Sequence, residues 1–134
     1  MRQYILDYIA GVMVTGFRLT QELPWDKDSG PLYLTNMKTV YVDSAQTSQD
    51  PLIDVLNGAG IVNETTTISA YVVTDAKILP PGYANLVTAI SGTRLDPAIT
   101  GYTQKTTAVN TSFQADAQIT EFVFNFTKVI VNSQ

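Results

Sequence analysis

The segment Asp26-Lys27-Asp28-Ser29-Gly30 has the residue types that begin a calcium-binding loop. In such loops alternate oxygen ligands and a glycine bend surround the ion. The loop also needs a bidentate glutamate at its twelfth position, and counting from Asp26 that position is Met37. We therefore predict a polar loop tip at this segment and no metal site.

Three carboxylates, Glu64, Asp75 and Glu121, are candidates for acid and base roles of the kind used in glycoside hydrolysis. None of them lies in a recognisable motif. The sequence contains no His and no Cys, so it lacks the commonest general base and the thiol nucleophile. The glycines at 58 and 60 are not followed by the Gly and Lys of a phosphate-binding loop. We therefore predict that the chain is not an enzyme and needs no cofactor.

Trp25, the single tryptophan, adjoins the polar loop tip. An exposed indole at this place would anchor a partner or stack on a sugar, whereas a buried one would cover the edge of a sheet. With Tyr33 and Tyr41 it would form an aromatic platform. A sugar-binding β module of an adhesive fibre is therefore an alternative of a different class.

The composition indicates a β-rich chain with part of its surface covered by other subunits. Charged residues make up 15 % of the sequence, against about 25 % in typical soluble domains. Threonine and other neutral polar residues take their place, and threonine favours strands. A β protein with a merely neutral surface remains the other interpretation. The net charge of −4 with scattered basic residues argues against nucleic-acid binding.

Hydrophobic periodicity predicts the elements that carry these residues. Apolar residues spaced for one helix face predict a helix over residues 5–13, and a second stripe predicts one over 79–90, ending at Gly92. The apolar stretch 4–17 is too short to cross a membrane and is interrupted by Asp7, so we expect no membrane segment. Alternating residues predict five strands, at 17–23, 32–42, 65–74, 102–113 and 119–131.

The connections between these elements are predicted from turn chemistry. Residues 25–31 are predicted to be a hairpin loop between the first two strands, and 43–50 a surface loop. Asp50 as N-cap and Pro51 in the first turn predict a short helix over 51–56. A short polar connection at 114–117 predicts a hairpin between the last two strands. We expect one α+β domain over residues 1–134, with an antiparallel-rich sheet of about five strands and two main helices on one face.

Three stretches of the chain resemble the bacteriophage tail terminator family, to which the lambda tail terminator belongs. They are the N-terminal amphipathic helix, the strand and helix that run from 67 to 92, and the final hairpin with its Glu121-Phe122-Val123-Phe124-Asn125-Phe126 strand. The resemblance implies a structural virion protein that forms a hexameric ring on the last ring of the tail tube. Such a ring stops tube polymerisation and joins the tail to the head connector.

This resemblance implies copies of the chain, a tube protein and a connector or neck protein as partners. It also implies that the assembled protein lies at the tail-neck junction of the virion. Before assembly the chain would be in the host cytoplasm. Another neck or tube component, such as a stopper or completion protein, would share the same composition. From their expected exposure, we predict that six residues lie at interfaces: Trp25, Asp26, Lys27, Asp28, Arg94 and Asp96.

Overall fold

The computed structural model describes residues 1–20, 38–54, 60–114 and 117–132. Within them the helices are α1 (Arg2–Val12), α2 (Tyr83–Ser91) and the single-turn α3 (Pro97–Thr100). The strands are β1 (Arg18–Thr20), β2 (Thr39–Val42), β3 (Gln46–Asp54), β4 (Gly60–Asp75), β5 (Thr103–Gln104), β6 (Ala108–Gln114) and β7 (Ala117–Asn132).

The described strands form one mixed sheet of seven strands in the order β1-β2-β4-β7-β5, with β3 also beside β4 and β6 also beside β7. The β1–β2 pair is parallel and the other pairs are antiparallel. The prediction of an antiparallel-rich sheet of about five strands is therefore wrong, although the chain is roughly α+β. Three local differences account for the error.

The first difference is β3, which occupies residues predicted to be a loop and a short helix. Asp50 and Pro51 suggested a helix start, but both lie in a strand that pairs with β4 along its length. Strand β4 begins at Gly60 and is longer than predicted, so its first half offers an edge on which β3 pairs. Proline is tolerated there because β4 is the one described strand that pairs with β3, which leaves β3 at the edge of the described sheet, and the register shifts between Pro51 and Ile53.

The second difference is that the predicted strand at 102–113 is two strands. Both pair with β7, β5 at Thr127 and Phe126 and β6 from Val123 to Ala117. Between them the chain leaves the ladder, although the Lys105 N–H still donates to the Asn125 carbonyl at 2.9 Å. The hairpin between β6 and β7 is confirmed, since Gln114 pairs with Ala117.

The third difference is the parallel pairing of β1 with β2, in which Leu19 lies opposite Val40. A tight hairpin reverses the chain, so it cannot join two neighbouring strands that run in the same direction. The predicted hairpin between these strands is therefore wrong. Its predicted tip, residues 25–31, lies outside the described residues.

The core lies between the helices and one face of the sheet, as predicted. Phe122, Phe124 and Phe126 of β7 are fully buried beside Ile68 and Ala70 of β4. The helices contribute fully buried side chains to the same cluster: Ile5 and Ile9 from α1, Leu86 and Ile90 from α2. The alternation in β7 and the apolar stripes of both helices thus meet in one layer.

A glycine allows the two main helices to approach each other. Gly82 precedes α2 with φ of +85°, and a Cβ at this position would overlap the Val14 side chain that follows α1. Only glycine adopts this backbone conformation without strain and also leaves room for Val14. The first turn of α2 therefore packs closely against the end of α1.

We predict that Phe124→Ala lowers the free energy of unfolding by about 3–5 kcal/mol, because it leaves a cavity between the sheet and both helices. Ile78→Ala is the control, since Ile78 is 78 % exposed and its truncation leaves no buried cavity. Urea unfolding followed by circular dichroism measures both values. Equal losses in the two variants would contradict this placement of the core.

Candidate subunit interfaces

The structure places two of the six predicted interface residues. Arg94 and Asp96 are both exposed and lie in the loop between α2 and α3. One Arg94 guanidinium nitrogen donates to the Thr93 carbonyl at 2.7 Å. The Asp96 carboxylate accepts from the Ala98 N–H at 2.9 Å, as the N-cap of α3. Trp25, Asp26, Lys27 and Asp28 lie outside the described residues, so their predicted role stays a prediction.

The side chain of Gln104 holds the loop that carries Arg94 to the sheet. Its Oε1 accepts from the Leu95 N–H at 2.9 Å, and its Nε2 donates to the Thr93 carbonyl at 2.6 Å. Thr93 is itself buried and donates to the Ile90 carbonyl. The amide of Gln104 therefore fixes the path of the loop and the position from which Arg94 extends.

A second polar cluster joins β4, β3 and the residue before β5. The Tyr102 hydroxyl donates to Glu64 Oε2 at 2.7 Å, and Gln49 Nε2 donates to Glu64 Oε1 at 3.3 Å. The Lys128 Nζ lies 4.9 Å from the centroid of the Tyr102 ring, a cation–π distance. The hydrogen bonds from Tyr102 and Gln49 lower the pKa of Glu64 below its usual value, so this carboxylate is ionised at neutral pH.

The three carboxylates considered for catalysis do not form a pair. Glu64 lies opposite Lys128 and Glu121 lies opposite Tyr71, seven positions further along the ladder, which is about 23 Å. Asp75 lies four positions from Tyr71 on the same strand, about 13 Å away. Paired carboxylates of glycosidases are at most about 10 Å apart. Among the described residues there is also no cluster of three or more metal-ligating Asp or Glu side chains.

The sheet face opposite the helices carries a small buried cluster. Val73, Ala117 and Ile119 are buried there, and Tyr71 packs against them. The rings of Tyr41 and Tyr71 stack with centroids 6.2 Å apart. Burial raises the pKa of Tyr71 to about 12, and a hydrogen bond with Glu121 adds to the rise. Tyr41 is only 8 % exposed, so its ring is not available as a sugar-stacking platform.

Beyond the helices the sheet continues as an extension, which we call the arm. It consists of residues 60–65 of β4, residues 127–132 of β7 and the strand β3 that pairs beside them. On the face opposite the helices, Val129 is 59 % exposed and Val131 is 68 % exposed. Their cross-strand neighbours on that face are Asn63 and Ile61. The arm thus presents two adjacent valines to solvent.

Other exposed apolar side chains lie away from the arm. Val109 and Phe113 of β6 are exposed, as are Ile78 and Leu79 after β4 and Ile99 in α3. Isolated apolar residues on a surface are ordinary, whereas a group along one strand indicates a contact surface. Strand β6 and the arm meet this criterion. The sequence carried a signal for the arm in the run Val129-Ile130-Val131, which is apolar on both faces of a strand.

Comparisons with known proteins assign no family to the chain. No protein-family model matches it, and no curated protein matches it. No helix in the described part of the chain is both long and apolar enough to span a membrane.

We predict that Tyr102→Phe raises the pKa of Glu64 toward its usual value while keeping an aromatic ring beneath Lys128. A depressed pKa in the folded state stabilises the protein above the unfolded-state pKa, and this contribution is lost as the pH falls through the folded-state pKa. The variant should therefore be less stable than the original protein at neutral pH. Its stability should also fall less than that of the original protein when the pH is lowered. An NMR titration of the Glu64 carboxyl measures the shift. Tyr4→Phe, on the exposed side of α1, should leave the titration unchanged.

Proposed function

We propose that this chain is a structural subunit that assembles with copies of itself. The observation that carries the proposal is the exposure of Val129 and Val131 on the arm, on the sheet face that the helices do not cover. Water contact with two neighbouring valines is unfavourable, and burial against another subunit relieves it. Low charge in the whole sequence, 15 % of residues, suits a surface that is covered by neighbours.

We propose in particular a ring at the end of a phage tail tube, which stops tube growth and joins the tail to the head connector. The resemblance to tail terminators supports this assignment. The three stretches that carry it adopt the expected elements, namely α1, the β4–α2 unit and the β6–β7 hairpin. A ring arises when each subunit presents one surface to the next and the rotation closes. In this proposal the arm is one of these two surfaces.

A second candidate of the same class is another neck or tube component. A tube subunit also stacks through exposed sheet surfaces, but its assembly remains open at the end and grows. Negative-stain electron microscopy of the purified chain, together with its mass in solution, separates the two. Closed rings of six subunits support the terminator, whereas extended tubes or fibres support a tube subunit. A monomer that stays monomeric on assembled tail tubes would overturn both.

We predict that the double variant Val129→Thr, Val131→Thr weakens self-association at least ten-fold. Threonine keeps the shape and strand preference of valine but introduces a hydroxyl, so the fold is retained while apolar burial between subunits is lost. Sedimentation velocity over a concentration series measures the effect. Ile78→Thr is the control, because Ile78 is 78 % exposed and follows the opposite end of β4. Unchanged association in the double variant would remove the arm from the interface.

We predict that Arg94→Glu weakens assembly at physiological salt while the subunit remains folded. Arg94 is exposed and its charge orients docking, so the effect should shrink in 1 M salt. Asp96→Asn is a matched variant that removes a charge from the same loop but keeps an N-cap side chain on α3. Light scattering measures assembly and circular dichroism measures the fold. Unfolding caused by Arg94→Glu would show that the side chain is structural.

A further inference from the structure

Among the described strands, β6 is an outer strand of the sheet, and its sequence does not protect the outer edge. It pairs in continuous register with β7, and no second described strand pairs with it. Its sequence, Ala-Val-Asn-Thr-Ser-Phe-Gln, contains no charge and no proline. Edge strands in soluble proteins usually carry a charge, a proline or a bulge that prevents pairing with another chain. The edge strand β3 has all three features, in Asp50, Pro51 and the register shift beside Pro51.

The side chains of β6 are also uncovered on the helix side of the sheet. The helix layer reaches β7, where the Tyr83 hydroxyl lies 2.7 Å from the Thr120 hydroxyl and accepts from Gln118 Nε2 at 3.0 Å. One strand further out, Val109 is 44 % exposed and Phe113 is 65 % exposed. Strand β6 therefore offers both an edge available for main-chain hydrogen bonds and an apolar surface.

We propose that β6 pairs with β6 of a second copy, antiparallel and centred on Thr111. In this register Val109 lies opposite the second copy's Phe113, and Asn110 lies opposite its Ser112. Each apolar side chain thus meets an apolar one on the helix side, and each amide meets a hydroxyl on the other side. The two sheets become continuous, with the helices of both copies on the same side.

The order of residues in β6 favours a second copy over an unrelated strand. From either end the five central residues run apolar, polar, threonine, polar, apolar, so the strand complements itself when reversed. A two-fold contact of this kind also closes, because each edge is used by the other. It removes the free β6 edge from both copies and does not grow into a fibre.

This contact goes beyond the proposed ring and uses a different strand from the arm. The two can therefore fail separately. Rings that form without a β6 contact would overturn this inference and leave the proposed function standing. A β6 pair in a protein that never forms rings would overturn the proposed function and leave this inference standing.

The absence of cysteine from the sequence allows a direct test of the register. In the variant Thr111→Cys the two introduced thiols lie opposite each other on the two-fold axis. Cross-strand Cβ atoms are about 4.5–5.5 Å apart, and the Cα separation lies within the range that a disulfide spans. Mild oxidation should convert most of this variant to a covalent dimer. Ala10→Cys, on the exposed side of α1 and outside both proposed contacts, is the control and should stay at least ten-fold less cross-linked.

A second pair of variants distinguishes the proposed register from random contact. Val109→Cys mixed with Phe113→Cys should cross-link, because these positions are opposite. Val109→Cys alone should not, since the two copies of that position are about 13 Å apart along the strands. Equal cross-linking of Val109→Cys alone and in the mixture would overturn the register. Failure of Thr111→Cys to cross-link in a folded protein would overturn the pairing itself.

Thr111→Lys tests the same contact without a covalent cross-link. It places like charges opposite each other on the axis and protects the edge, so the dissociation constant of the pair should rise at least ten-fold. Ala10→Lys, on the exposed side of α1 and outside both proposed contacts, should leave that constant unchanged. Sedimentation velocity measures both, and an unchanged constant for Thr111→Lys would contradict the proposal.

Discussion

The pairing of β4 with β7 is the interaction on which the other elements of this protein depend. The two strands remain in register from Gly60 opposite Asn132 to Asp75 opposite Ala117. Every other described strand except β1 pairs with one of them, so this ladder determines where β2, β3, β5 and β6 lie. Side-chain alternation along the ladder then gives the sheet two faces. One face carries Phe122, Phe124 and Phe126 beneath the helices, and the other carries Val129 and Val131.

The helices cover one face of the sheet and only part of it, and the exposed apolar side chains of both proposed contacts lie outside this layer. Where α1 and α2 cover the sheet, apolar side chains are buried and the surface is ordinary. At β6 the helix layer ends, and on the arm Val129 and Val131 lie on the face opposite the helices, so apolar side chains are in contact with water at both places. The polar clusters around Gln104 and Glu64 are satisfied within the subunit. They position loops and strands, and their carboxylates are too far apart to work as a pair.

Elements with a clear period were predictable from the sequence. The two main helices, most of β4, and β7 with its three core phenylalanines follow from apolar spacing alone. Strand β3 could not be predicted in this way. Asp50 and Pro51 have the local chemistry of a helix start, whereas the partner strand imposes an extended conformation. The parallel direction of β1 depends on β2, which is distant in sequence, and carries no local signal. Arg94 and Asp96 are exposed, as expected. The exposed surface of β6 depends on where the helix layer ends, and that of the arm depends on which sheet face the helices cover.

The length of the central ladder also has a consequence for how the chain folds. Thr67 and Asn125, which are joined across it by a side-chain hydrogen bond, are 58 residues apart in sequence. Contacts between such distant segments form only after a large loop closes, and proteins dominated by them fold slowly. During this delay the phenylalanine-rich strand β7 lacks β4, even where the local β6–β7 hairpin has formed, and its unpaired edge is prone to aggregate. Newly made chains should therefore depend on dilution or on chaperones until β4 and β7 have met.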